Sequence, residues 1–103
     1  MEIIKQQDGD KLNIQLVGRL DTTTAPELEN ELNSALTGVK ELCFDFIKLD
    51  YISSAGLRVL LAAQKIMNNQ GSMKISNVAS EIMEVFEITG FTDILTIEWF
   101  LCS

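Results

Sequence analysis

Between Glu41 and Asn69 the hydrophobic rhythm of the chain changes once, and that change restricts the fold more than any other feature. Leu42, Cys43, Phe44, Phe46 and Ile47 form a nearly unbroken apolar run, the pattern of a strand covered on both faces. Asp45 interrupts it, and a carboxylate in such a run belongs near a strand end or beside a partner, because a bare buried charge is costly. From Leu57 onward the period becomes helical. Leu57, Leu60, Leu61, Gln64 and Met67 share one face, and Arg58, Ala62, Lys65 and Asn69 share the other. A strand followed at once by an amphipathic helix is the first part of a β-α-β unit, and such units build parallel sheets.

The segments on either side extend the pattern. Glu2–Gln7 and Lys11–Gly18 flank Asp8-Gly9, a pair suited to the positive φ angles of a type I′ hairpin turn. Leu12, Ile14 and Leu16 alternate with Asn13 and Gln15, which predicts one buried and one wet face. Thr24-Ala25-Pro26-Glu27 reads as a capping box opening a first helix, with Leu28, Leu32, Ala35 and Leu36 as its apolar stripe and Gly38 as its stop. Gly71 is placed to end the second helix in a left-handed conformation. Met73–Ser76 predicts a short strand, and Ser80 or Asn77 the cap of a third helix carrying Ile82, Val85, Phe86 and Thr89 and stopped by Gly90. Ile94–Glu98 reads as a last strand or the start of terminal structure. The apolar Trp99-Phe100-Leu101-Cys102-Ser103 is expected to dock on the body or on a partner. The expected fold is α/β: one domain over 1–103, with a mixed four- to five-stranded sheet opened by an antiparallel hairpin and helices packed on it.

Composition narrows the function. The 103 residues carry eight Lys/Arg against fifteen Asp/Glu, a formal charge of −7, so phosphate backbones and anionic membranes should repel the chain and a basic protein surface attract it. No stretch approaches the roughly 20 apolar residues of a membrane span, and the start lacks the layout of a signal peptide, so a cytoplasmic location is expected. There is no histidine, which removes the commonest general base, and with two cysteines the chain has too few nitrogen or sulfur ligands for a zinc site. Cys43 and Cys102 lack any metal-binding spacing and read as a buried thiol in a strand and a free thiol near the terminus. Neither a cofactor nor a metal is expected. The sequence leaves a monomer or a weak homodimer open.

Ser53 and Ser54 occupy the turn from the strand into the second helix. A serine there accepts from an orphan backbone N–H, and the helix start favours negative charge. Gly56 just inside the helix leaves the hydroxyl unshielded and lets another backbone approach. On these physical grounds two readings stand: a pair of capping serines, or a serine exposed where a phosphate is tolerated. Asp21 and Thr22–Thr24 precede the first helix at the same end of a parallel sheet, and they are either a recognition rim around Ser54 or a loop that caps its own helix. Arg58 and Lys65, on the outer face of the second helix, meet either a partner or only water.

Two motifs resemble the STAS domain family (sulphate transporter and anti-sigma factor antagonist). Gly18-Arg19-Leu20-Asp21-Thr22-Thr23-Thr24-Ala25 is similar to the family's Gly-x-Leu-Asp segment. Leu49-Asp50-Tyr51-Ile52-Ser53-Ser54-Ala55-Gly56-Leu57-Arg58-Val59-Leu60-Leu61 is similar to its Asp-Ser-Ser/Thr-Gly-Leu signature ahead of an apolar helix. The resemblance spans almost the whole chain and implies a stand-alone anti-sigma factor antagonist, a binding protein rather than an enzyme. It implies Ser54, two positions before Gly56, as the phosphate acceptor, with Ser53 the second choice where relatives often carry an aspartate. It implies an anti-sigma factor with serine kinase activity as partner, a sigma factor released when the unphosphorylated form binds that partner, and a phosphoserine phosphatase that resets the switch. The partner-binding set is then Asp21, Thr22, Thr23, Ser53, Ser54, Ala55, Gly56 and Arg58. The competing readings are a STAS module of a larger sensory assembly, or a nucleotide- or lipid-binding STAS protein without phosphoregulation. An enzyme with Ser54 as nucleophile would need a lysine or carboxylate base, and no such motif stands nearby in the sequence.

Overall fold

The first hairpin closes between Asp8 and Lys11, joining β1 (Glu2–Asp8) to β2 (Lys11–Leu20) in antiparallel register. Gly9 takes φ +63° while Asp10 keeps a negative φ, so the turn has the type II′ pattern and not the expected type I′. A type I′ turn needs both central residues left-handed, a conformation that costs any residue with a side chain. In a computed structural model that describes residues 1–98, the chain continues through α1 (Ala25–Ala35), β3 (Glu41–Ile52), α2 (Ser54–Gln70), β4 (Ser72–Ser76) and α3 (Ser80–Thr89). A 3₁₀ turn over Phe91–Asp93 then precedes the short β5 (Ile97–Glu98). The expectations placed on Trp99–Ser103 lie outside the described residues.

The five strands lie side by side in chain order, β1-β2-β3-β4-β5, with every pair after the hairpin parallel. Three successive crossovers in one direction, each of the usual right hand, put their helices on the same face of the sheet. Burial follows. Leu12, Ile14 and Leu16 of β2, Leu42, Phe44 and Phe46 of β3, and Met73 and Ile75 of β4 are all buried beneath the helices. The Phe44 and Phe46 rings lie 6.0 Å apart and tilted by 55°, a geometry that adds about 0.5–1.5 kcal/mol beyond area burial. Among the described residues no helix covers the opposite face, which corrects the expectation of a doubly covered β3. Cys43 and Asp45 on that face are half-buried and Ile47 is exposed. Cys43 is also disulfide-bonded rather than a buried free thiol, and Cys102 lies outside the described residues.

Asp45 has the partner its position required. It accepts from the Asn77 side chain at 3.0 Å and from the Ile47 N–H at 3.0 Å, where the β3–β4 ladder ends. Asn77 takes φ +58° and is spent on this contact, and α3 starts after Ala79 with no side-chain cap, so neither Asn77 nor Ser80 caps it as expected. On α1, Leu28, Leu32 and Leu36 are buried as expected. On α2 the buried stripe is wider than the spacing suggests, since Val59 and Ala63 join Leu57, Leu60, Gln64 and Met67. No helix among the described residues is long and apolar enough to cross a membrane.

The end of α2 is tied to the end of α1. Gln70 donates through Nε2 to the carbonyls of Leu36 at 2.6 Å and Val39 at 2.7 Å, which satisfies acceptors left over at the end of α1. Gly71 follows with φ 178°, an extended conformation and not the left-handed one expected. Its need for glycine is steric: a Cβ there would sit 1.9 Å from the Lys40 carbonyl oxygen. Because backbone blocks the space, Gly71→Ala should destabilise the protein by about 3 kcal/mol or more, at the upper end of overpacking costs. Urea unfolding measures this, and a variant within about 0.5 kcal/mol of the parent would rule the contact out.

Candidate functional site

β3 runs five residues beyond the apolar stretch that announces it, and those residues carry the first half of the signature. Its register against β2 slips twice, so that Gln15 pairs Asp45 but Val17 pairs Lys48, and Gly18 pairs Leu49 but Arg19 pairs Tyr51. Each slip inserts one extra residue in β3, a β-bulge that turns the following side chains over. The buried residues therefore recur every third position, Phe46, Leu49 and Ile52, while Asp50 and Tyr51 face solvent. A period-two reading of the sequence stops at the first bulge.

The slipped register brings the two motifs side by side. Arg19 lies across from Tyr51 and Leu20 across from Ile52, and the Ser53 N–H donates to the Leu20 carbonyl at 2.9 Å. Ser53 then turns the chain into α2. Its backbone is extended (φ −102°, ψ 174°), and its hydroxyl accepts from the Gly56 N–H at 3.3 Å, so Ser53 is the N-cap. Ser54 is the first helical residue and is exposed, and its hydroxyl makes no hydrogen bond among the described residues. Of the two serines, Ser53 is therefore the one that caps the helix. Ala55 is half-buried beside Ser54.

Gly56, expected to leave the hydroxyl unshielded and to let another backbone approach, is buried and faces the core. A Cβ there would meet Leu20 Cγ at 2.7 Å and Ile52 Cγ1 at 3.0 Å, so the missing side chain admits the ends of β2 and β3 beneath the first turn of α2. It brings the helix close to the sheet, and no partner backbone is needed to explain it.

The segment after β2 forms a loop organised by Asp21. Oδ1 of Asp21 accepts from the Thr23 hydroxyl at 2.7 Å, the Thr23 N–H at 3.0 Å and the Thr24 N–H at 3.1 Å. These bonds to the ionised form, led by the Thr23 hydroxyl and the Thr24 N–H and opposed by slight burial, hold the Asp21 carboxyl down at about 2. The expected capping box is absent: Thr24 is already helical (φ −96°, ψ −22°) and its hydroxyl makes no cap. That hydroxyl instead donates to the Arg19 carbonyl at 2.8 Å and accepts from the Asp21 N–H at 2.8 Å, because the chain begins to coil before Thr24. Arg19 completes the group. Its guanidinium carbon sits 4.3 Å over the centre of the Tyr51 ring, and its Nε lies 3.9 Å from Asp21 Oδ2.

Thus Asp21, Thr23 and Thr24 are brought beside Ser53 and Ser54 through strand register, with Thr22 exposed between them. Arg58 is exposed one turn into α2. Lys65 stands eleven residues from Ser54, about 16 Å further along the helix, away from this end. Sequence reasoning places Arg19 and Tyr51 inside their motifs and gives neither a role. The only signal for their pairing is the register of two parallel strands, which one sequence does not display. Among the described residues no cluster of three or more carboxylate or thiol side chains is placed to hold a metal.

A family model described as STAS domain matches residues 2–100. The anti-sigma-B factor antagonist of Listeria monocytogenes is 32% identical over 99 residues, covering 92% of this chain and 85% of that protein. Among solved structures, the anti-sigma factor antagonist SpoIIAA in its unphosphorylated form has a TM-score of 0.78 at 15% identity, over 97% of this chain and 90% of that one. The Bacillus cell fate determinant SpoIIAA in its phosphorylated form has a TM-score of 0.75 at 17% identity, over 95% and 92%. At such identities the structural likeness speaks for the fold.

Two measurements test this geometry. Gly56→Ala should lower stability by about 1 kcal/mol, since overpacking costs of about 1–3 kcal/mol exceed a helix-propensity gain of about 1 kcal/mol. An equally stable variant would mean that Leu20 and Ile52 do not fill that space. For Asp21 the folded carboxyl lies below its unfolded value, so its contribution is complete above about pH 4 and fades as pH falls through about 2. A carboxyl NMR titration should give a midpoint at about 2, and the stability of Asp21→Asn should fall less than the parent's across that window. A midpoint at the ordinary value of about 3.9 would show that the Thr23 and Thr24 bonds do not form.

Proposed function

The chain belongs to the STAS domain family, and from that footing we propose that it is an anti-sigma factor antagonist of the bacterial cytoplasm, switched by phosphorylation of Ser54. The observation that carries the reading is the state of that residue: exposed, without a hydrogen bond from its hydroxyl among the described residues, and at the first position of α2. The unphosphorylated form binds an anti-sigma factor and so frees the sigma factor. That anti-sigma factor is also a serine kinase, which transfers the γ-phosphoryl group of ATP to the Ser54 oxygen and leaves ADP. A phosphoserine phosphatase hydrolyses the ester and resets the switch.

The local physics suits such a device. Phosphoserine adds about −1.5 to −2 charge, and at a helix N-terminus that charge is favoured by about 0.3–1 kcal/mol. The fold therefore accepts the modification. A docked partner does not, because it would have to strip water from the same dianion; a loss of about 2.7 kcal/mol is already about a hundredfold in affinity. Since Ser53 holds the helix cap, modifying Ser54 leaves the cap bond to Gly56 in place. A nucleophilic serine needs an activating base, and among the described residues no lysine or carboxylate bonds to Ser54, which supports the reading of a protein that acts by binding.

Incubation with the anti-sigma kinase and ATP, followed by mass spectrometric mapping, should place one phosphoryl group on Ser54. Ser54→Ala should fold and bind the kinase normally, whereas Ser54→Asp should fold normally and bind about a hundredfold more weakly. Label on Ser53, or equal binding by both variants, would overturn the assignment.

A further inference from the structure

We propose that Arg19 and Tyr51 form a second anchor for the same partner, beside Ser54 but independent of its phosphorylation, and that this anchor receives an acidic side chain of the anti-sigma factor. The proposal rests on the reading of the chain as an anti-sigma factor antagonist.

Arg19 and Tyr51 are cross-strand neighbours at the ends of β2 and β3. Both face solvent: the Arg19 side chain is 62% exposed and Tyr51 41% exposed. An arginine in that position is ordinarily free to wander through water. Here the guanidinium lies over the ring, with its carbon 4.3 Å from the centroid, so its place is set in advance. Its contact with Asp21 does not consume it. The Nε to Oδ2 separation of 3.9 Å is too long for a hydrogen bond, and the opposite oxygen of Asp21 is taken by Thr23 and Thr24. A guanidinium has five N–H donors in a planar fork that matches a carboxylate two to two. Those of Arg19 bond to no acceptor among the described residues, so the fork is held by the ring and left open towards solvent.

Charge selects the occupant. The chain carries −7 overall, yet its only two arginines, Arg19 and Arg58, both stand at the end of the molecule where Ser54 is exposed. A partner surface that met this end with lysines or arginines alone would leave the Arg19 fork unsatisfied when water was excluded. A carboxylate, with an apolar group beside it to cover the Tyr51 ring, satisfies both members of the pair. Arginine and tyrosine are also the residue types in which interface energy concentrates, and a fork already held in place loses little freedom on docking.

The anti-sigma factor that phosphorylates the chain is the probe, with affinity measured by calorimetry on unphosphorylated protein at low and high salt. Arg19→Ala should weaken binding by about 30-fold and flatten its salt dependence. Arg19→Lys, which keeps the charge and loses the fork, should weaken it by about tenfold. Tyr51→Phe keeps the ring and should bind like the parent. Tyr51→Leu should weaken binding, and adding it to Arg19→Ala should cost no more than about a further twofold, because the two act as a unit. Amide exchange at Thr23 and Thr24 should be unchanged in the Arg19 variants. Binding by Arg19→Ala within about twofold of the parent, with Ser54→Asp still weakened, overturns the anchor and leaves the proposed function standing. Loss of affinity accompanied by faster Thr23 and Thr24 exchange overturns it as well, since the arginine would then be acting by positioning the loop. Failure of the parent protein to bind the anti-sigma factor overturns both readings.

Discussion

The hydrogen bond from the Ser53 N–H to the Leu20 carbonyl, 2.9 Å long, is the contact on which the site's assembly depends. It joins the last residue of β2 to the residue that caps α2, and so fixes one motif against the other. Leu20 does more than accept it. Its side chain is fully buried and lies where a side chain on Gly56 would be, 2.7 Å from the position of the absent Cβ. The same residue thus sets the turn with its backbone and the height of the helix with its side chain. Its neighbours in sequence, Arg19 and Asp21, are then carried to the rim by connectivity alone. A core leucine, and no exposed residue, determines where the exposed residues stand.

The order of the strands explains what kind of site this can be. In open parallel sheets a ligand crevice forms where the strand order reverses and helices leave on both faces. Here β1 to β5 follow in sequence without reversal, so the C-terminal ends of β2 and β3 open onto no such crevice. Small-molecule sites are concave and enclosed, whereas Ser54, Arg19 and Tyr51 are exposed on a surface. A depression lies elsewhere, on β1, β2 and β3, lined by Ile4, Gln6, Asn13, Ile14, Gln15, Cys43 and Asp45. None of these belongs to the site. An exposed hydroxyl and an oriented guanidinium on such a surface suit the protein partner proposed above.

What can be read from the sequence, and what cannot, divides along a physical line. The alternation of Leu12, Ile14 and Leu16, the stripe of Leu28, Leu32 and Leu36, and the stop at Gly90 are legible because each depends on neighbours within one element. The exposure of Ser54 is legible for the same reason, since the start of α2 is marked locally. Readings fail where the deciding neighbour lies far along the chain. Gly71 reads as a left-handed cap, but the atom that requires glycine there is the carbonyl of Lys40. Gly56 reads as an open door and is a seat for Leu20. Thr24 reads as half of a capping box, whereas its hydroxyl is engaged by Arg19 and Asp21 behind it. The apolar run of β3 reads as covered on both faces, because composition cannot report that three crossovers wind in one direction. Its two bulges are invisible for a further reason: they change the period from two to three without any proline or glycine in β3 to mark the place.

The separation of Ser53 from Ser54 bears on how such a switch can be both stable and reversible. Had the acceptor hydroxyl also been the cap, each phosphorylation would have exchanged one cap for another and disturbed the first turn of α2, which rests on Leu20 and Ile52. With the cap on Ser53, the acceptor proposed at Ser54 could gain or lose a dianion while the cap bond to Gly56 stays in place. The aspartate that relatives often carry at the Ser53 position would cap equally well, but it would place a permanent charge beside the switched one. With a neutral serine there, a phosphate on Ser54, as proposed, would be the whole of the acidic charge at that turn. On the proposed reading, the information passed to a partner lies in the presence of charge at the first position of α2.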